Sequence, residues 1–241
     1  MSQLLSAWET VRRHPVLLWL PVGLSLIWMV PMSLVVPDMV AYPVVTAGIG
    51  VLMLIALFVA PAVAGGYNAM VGAAATGGVP SMRSFREGWG KYYGRIVGAA
   101  VLVALIVGIF SYRSMGNYLR QGQAVSYSGF AGLLSSVLGA FGHVWLAALV
   151  INDQGILDTT ASAGRSVVAR FVEYLPLAGV ILVVYFIPAV GRSDGIALTP
   201  VMTVLSLLSS IVKSALQAFV RVGAFTVFVG SAARAASPPP A

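Results

Sequence analysis

From Val44 to Val71 the chain carries no acidic or basic side chain. At 1.5 Å per residue a helix over that window is about 42 Å long, and about 20 residues already cross about 30 Å of hydrocarbon. Five further apolar windows follow the same rule: Val16 to Val36, Ile96 to Tyr112, Gly129 to Ile151, Tyr174 to Gly191, and a span inside Ile196 to Gly230. None alternates with period two, and an unclosed sheet would leave peptide groups bare in lipid, so helices are expected. Only 9% of residues are charged, against about 25% in soluble domains, and the mean hydropathy is +0.94. These numbers exclude an ordinary water-soluble fold. They predict an all-α integral membrane protein with six transmembrane helices in three hairpins. The last window is about 52 Å as one helix, so an outer-surface segment broken near Pro200 is expected before its true span.

Segments of another character separate the hairpins. Over Ser81 to Ile96, Met82, Phe85, Trp89, Tyr92 or Tyr93, and Ile96 recur at steps of three and four, with Arg83, Arg86, Glu87, Lys91 and Arg95 opposite. That spacing predicts an interfacial amphipathic helix on the cytoplasmic side. Its basic residues, at about 1 kcal/mol each near an anionic leaflet, together with Phe85 and Trp89 in the headgroups, would hold it down. Asp153 to Phe171 repeats the design, with Ile156, Thr160, Ala163, Val167 and Phe171 on one face and Asp158 available to cap its start. Leu4, Trp8 and Val11 sketch a shorter copy. From Arg13 to Lys91 is 78 residues and from Lys91 to Arg170 is 79. A single domain over 1–241 built from units 1–78, 79–157 and 158–235 is therefore expected, with a Pro-rich tail at 236–241.

Orientation follows from the short loops. Arg12, Arg13, Arg83, Arg86, Lys91, Arg95, Arg165, Arg170 and Arg234 lie on the side of the N-terminus; Arg113, Arg120 and Arg192 lie on the other. Nine against three places both termini in the cytoplasm under the positive-inside rule. The net charge of +7 is spread through these loops without a run, so a nucleic-acid arm is excluded. With no Cys the chain has no disulfide and no thiolate chemistry, and His14 and His143 alone are too few to hold a metal.

Two bases fall inside the last apolar window, where a charge near the bilayer centre costs about 2.5–3.5 kcal/mol. Lys213, Gln217 and Arg221 stand at i, i+4 and i+8, with Ser206 and Ser210 extending the stripe. One reading is a site for an anion such as a lipid phosphate, which guanidinium recognises bidentately. The other is snorkelling, Lys213 outward toward Asp194 and Arg221 inward toward Asp153 or Glu173. His143 is expected to make an interhelical hydrogen bond. Ala56, Ala60, Ala64 and Asn68, and Gly94 with Gly98, allow close helix approach, while Pro21, Pro31, Pro61 and Pro188 kink their helices and free carbonyls.

The surface segments "WETVRRHPVLLWLP", "AGGYNAMVGAAATGGVPSMRSFREGW" and "INDQGILDTTASAGRSVVARFVEYLP" resemble the six-span membrane domains carried by some glycerophosphodiester phosphodiesterases and by stand-alone bacterial relatives. The resemblance implies a fold and a lipid-adjacent context in the bacterial cytoplasmic membrane. The catalytic barrel of those enzymes has no counterpart here, and no triad, P-loop or dinucleotide fingerprint is visible.

The expectation is a non-catalytic multi-pass membrane protein without cofactor, acting as a scaffold, accessory subunit or lipid-binding module. Its partners would be anionic lipids, with a membrane-protein partner or a second copy possible. A small transporter, channel or lipid-handling protein using the Lys213, Gln217 and Arg221 stripe is the alternative.

Overall fold

A computed structural model of the protein describes residues 2–34, 42–121, 129–186 and 200–235. Every regular element among them is an α-helix: α1 (Ser2–Arg13), α2 (Val16–Leu34), α3 (Pro43–Ala75), α4 (Met82–Gln121), α5 (Gly129–Asn152), α6 (Ile156–Ala169), α7 (Phe171–Phe186) and α8 (Pro200–Ala235). Two stretches, Gly50–Ala75 and Leu207–Gly230, are long and apolar enough to cross a membrane. A third arises if Val137–Asn152 and Ile156–Ala169, bent by 117° at their junction, form one broken span. Val16–Ile27 and Phe171–Val184 are apolar and shorter. The window from Ile96 to Tyr112 lies inside α4. Pro188, Asp38, Asp194, Arg192 and the tail 236–241 lie outside the described residues.

Local chemistry sets the helix ends. Pro15, which cannot donate, follows α1, and Pro43 sits in the first turn of α3, where its missing N–H would be unsatisfied anyway. Gly77 closes α3 at φ +84. Gly78 N–H donates to Ala73 O at 2.8 Å and Gly77 N–H to Ala74 O at 3.2 Å, the paired bonds of a Schellman stop, which needs a left-handed residue at that position.

Four sequence expectations are corrected. Ser81 to Ile96 is not a separate surface helix, because α4 runs unbroken for 40 residues through the following apolar window; no proline interrupts it. The last window is not broken after Pro200, since Pro200 stands at the start of the 36-residue α8, where proline is tolerated. Asp158 does not cap α6: the N-cap is Gly155, without a side-chain bond, and Asp158 lies in the first turn, where its charge opposes the positive end of the helix. α6 also turns a face one residue away from the expected one, burying Thr159, Ala163 and Ser166.

α8 lies at the centre and touches α1, α2, α3, α5 and α7. Val220, Val222, Ala224, Phe225, Val227 and Phe228 are all buried, so this part of the helix is apolar around most of its circumference, as an enclosed helix must be. The most extensive pairing joins α3 to α4. There the backbones approach so closely that a Cβ on Gly65 would stand 2.7 Å from Gly88 O, and one on Gly66 would stand 2.7 Å from Phe85 O.

Candidate functional site

The interior polar cluster begins with a proline. Pro21 has no N–H, so the carbonyl of Leu17, four residues earlier in α2, loses its helical donor. The Tyr67 hydroxyl from α3 donates to that carbonyl at 2.6 Å. Tyr67 is buried, and its ring lies under the guanidinium of Arg221 from α8, with Cζ 5.4 Å from the centroid. This is cation–π geometry. Arg221 Nε–H also donates to His143 Nδ1 of α5 at 3.4 Å, a long hydrogen bond. Three helices, α3, α5 and α8, thus meet at one cation, and α2 joins them through the Tyr67 hydroxyl. Tyr67 and His143 lie eight and nine residues from the ends of α3 and α5, which places the cluster about 12–14 Å inward of those ends.

Arg221 takes part in none of the ion pairs among the described residues. The acids named for it by the snorkelling reading are otherwise engaged. Asp153 binds Lys91 Nζ at 2.8 Å and Arg95 Nη1 at 2.7 Å, while Glu173 binds Arg170 Nε at 3.3 Å and accepts from Gln3 Nε2 at 3.3 Å. Asp194, the candidate partner of Lys213, lies outside the described residues. The expected stripe is only partly inside the bundle: Lys213 is half-buried and Gln217 is exposed. Beside Lys213, Ser214 bonds Ser25 of α2 at 2.6 Å. The interhelical bond expected of His143 is present, with Arg221 as its donor.

His143 also lines a partly open groove of about 260 Å³ between α5, α6 and α7, floored by α8. Phe141, Val144, Leu175, Ala178, Leu182 and Val220 contribute to its otherwise apolar walls. The second polar lining residue, Tyr174, pairs its hydroxyl with Ser166 Oγ at 3.0 Å. Nearby, Trp145 donates to Thr160 Oγ1 at 3.0 Å. Lys213, Gln217 and Arg221 are not among the lining residues.

The basic segment at the start of α4 holds the protein together as well as facing outward. Asp153 follows α5 at φ 52, a left-handed conformation that Asp tolerates better than most residues. Lys91 and Arg95 clasp its carboxylate. Their hydrogen bonds, Lys91 first, push the Asp153 pKa below its ordinary 3.8, and the same bond raises Lys91 above 10.5. A depressed acid stabilises the fold above its unfolded pKa and loses that effect as pH falls through its folded one; a raised base is the mirror case. The clasp therefore operates between those limits. Arg83 pairs with Glu87 at 2.9 Å on the exposed face, and Arg86 is exposed. Phe85 does not enter the headgroups: it is buried against Gly66, with Trp89 meeting it edge-on at 5.7 Å.

Sequence reading missed three contributors. Tyr67 was signalled by Pro21, whose freed acceptor required a donor. Gly65, Gly66 and Gly88 were signalled by the "AGGYNA" and "EGWG" runs. Arg170, which donates to Val227 O of α8 at 2.7 Å, looked like one more loop charge.

The chain matches no protein-family model, no curated protein and no solved structure.

Proposed function

We propose that the protein is a non-catalytic, lipid-binding module of the bacterial cytoplasmic membrane, crossing it six times with both termini inside, and that the groove between α5 and α7 receives a lipid acyl chain. The groove itself carries the reading. Its walls are apolar and it opens between helices of a strongly apolar chain, where an empty cleft would forfeit dispersion contacts along its whole lining and a hydrocarbon chain restores them. The resemblance of the surface segments to membrane domains of lipid-related hydrolases agrees with a lipid-adjacent role. The transporter reading is less well supported, because Gln217 is exposed and the Lys213, Gln217 and Arg221 stripe stands apart from the groove.

The experiment fills the groove from opposite walls. Ala140→Leu on α5 and Ala178→Leu on α7, made singly and together, should release acyl lipid that the wild-type protein retains through detergent washing, as read by native mass spectrometry. Equal lipid content in wild type and double variant, with folding intact, overturns the reading.

A further inference from the structure

The polar end of the groove is defined by a proton. Arginine cannot accept a hydrogen bond and stays protonated in proteins, so Arg221 Nε is the donor and His143 Nδ1 must be the acceptor. A neutral imidazole that accepts at Nδ1 carries its hydrogen on Nε2. The His143 Nε2–H is therefore a lining donor that no hydrogen bond among the described residues uses, whereas the Tyr174 hydroxyl is shared with Ser166, either oxygen being able to donate. Behind the imidazole stands the Arg221 charge, balanced by no ion pair among the described residues, which favours an anion at that end of the groove.

We propose that the occupant is a long-chain carboxylate, its hydrocarbon tail in the groove and its carboxylate oxygen accepting from His143 Nε2–H. This deepens the acyl-chain reading and rests on it. Charge complementarity selects the carboxylate: a neutral ester presents a carbonyl acceptor of similar shape, whereas a carboxylate also meets the positive charge that Arg221 holds at this depth, and hydrogen bonds to ionised acceptors are about twice as strong as neutral ones. Arg221 is a positioning residue here, because it fixes the imidazole tautomer and supplies the field without lining the groove.

The test compares labelled palmitate with methyl palmitate on the full-length protein in neutral detergent, at a pH where the fatty acid is ionised. Wild type should prefer palmitate by about ten-fold. His143→Phe, which keeps a ring but has no donor, should bind both ligands with the affinity of the ester. His143→Gln, whose side chain can accept from Arg221 and donate with its amide, should restore the preference, so a mere folding defect at this position is told apart from loss of the donor. Equal affinities in wild type, or a preference that survives His143→Phe, overturn the proposal while leaving an acyl groove in place. Retained phospholipid that palmitate does not displace also overturns it. If the Ala140→Leu, Ala178→Leu double variant binds both probes as wild type does, the groove reading fails as well.

Discussion

The Tyr67 hydroxyl answers a vacancy created fifty positions away. Because Pro21 removes the helical donor to Leu17 O, Tyr67→Phe should leave a buried carbonyl unpaired while keeping the ring beneath Arg221, at a cost of about 1–3 kcal/mol. Thermal or denaturant unfolding in detergent measures it. The sharper form is a double-mutant cycle: Pro21→Ala restores an N–H to α2, so in that background Tyr67→Phe should cost much less. Equal costs in the two backgrounds would show that the hydroxyl does not replace the missing helical donor. Half of this arrangement was legible in the sequence, since prolines inside apolar windows announce freed acceptors. The other half was not, because which donor arrives depends on how α3 packs on α2. Arg221 illustrates the same limit. A list of acids shows that none falls inside its apolar window, but its partners, an aromatic face and an imidazole nitrogen, come from helices distant in sequence.

Helices were the most legible level, and their junctions the least. Over the described residues each apolar window falls on a helix, as a chain in hydrocarbon, which must satisfy its own peptide groups, requires. The join between the amphipathic segment and the apolar run in α4 was misread because a change of composition was taken for a change of direction; without proline, backbone hydrogen bonding continues through it. The tight pairing of α3 with α4 rests on residues outside the small-residue ladders read from the sequence. The four-residue ladder from Ala56 to Asn68 is one small-residue pattern, but the closest approach is made by the glycine pair Gly65 and Gly66 against Gly88. A side chain at Gly88 would meet the Gly65 carbonyl at 2.6 Å as well as the Ala69 methyl. Gly88→Leu should therefore push the two helices apart and destabilise the protein by about 1–3 kcal/mol or more. Gly90→Leu, two residues along the same helix at a position with open space around it, should be tolerated. The pair controls for helix propensity, so equal melting temperatures for the two variants would refute the close packing.

At the scale of the whole molecule, the length of α4 makes topology testable. Forty residues of unbroken helix extend about 60 Å, twice the hydrocarbon thickness of about 30 Å. The chain enters α4 through Arg83, Arg86, Lys91 and Arg95 and then runs through an apolar window, so one end of the helix is basic and its body apolar. Gly90 lies in the basic first part of α4, and Gly122 follows the last described residue of the helix, Gln121, so on the six-span reading the two positions lie on opposite sides of the membrane. The Cys-free chain allows single reporters. Gly90 is exposed with no heavy atom near its absent side chain, which makes it a better site than the buried Gly88. In intact cells, a membrane-impermeant maleimide should label Gly122→Cys and leave Gly90→Cys unlabelled until the membrane is opened. The reverse pattern would invert the orientation derived from nine inner against three outer basic residues. Labelling of both from one side would remove the proposed crossing, and with it the depth that makes an Arg221 without an ion pair among the described residues informative.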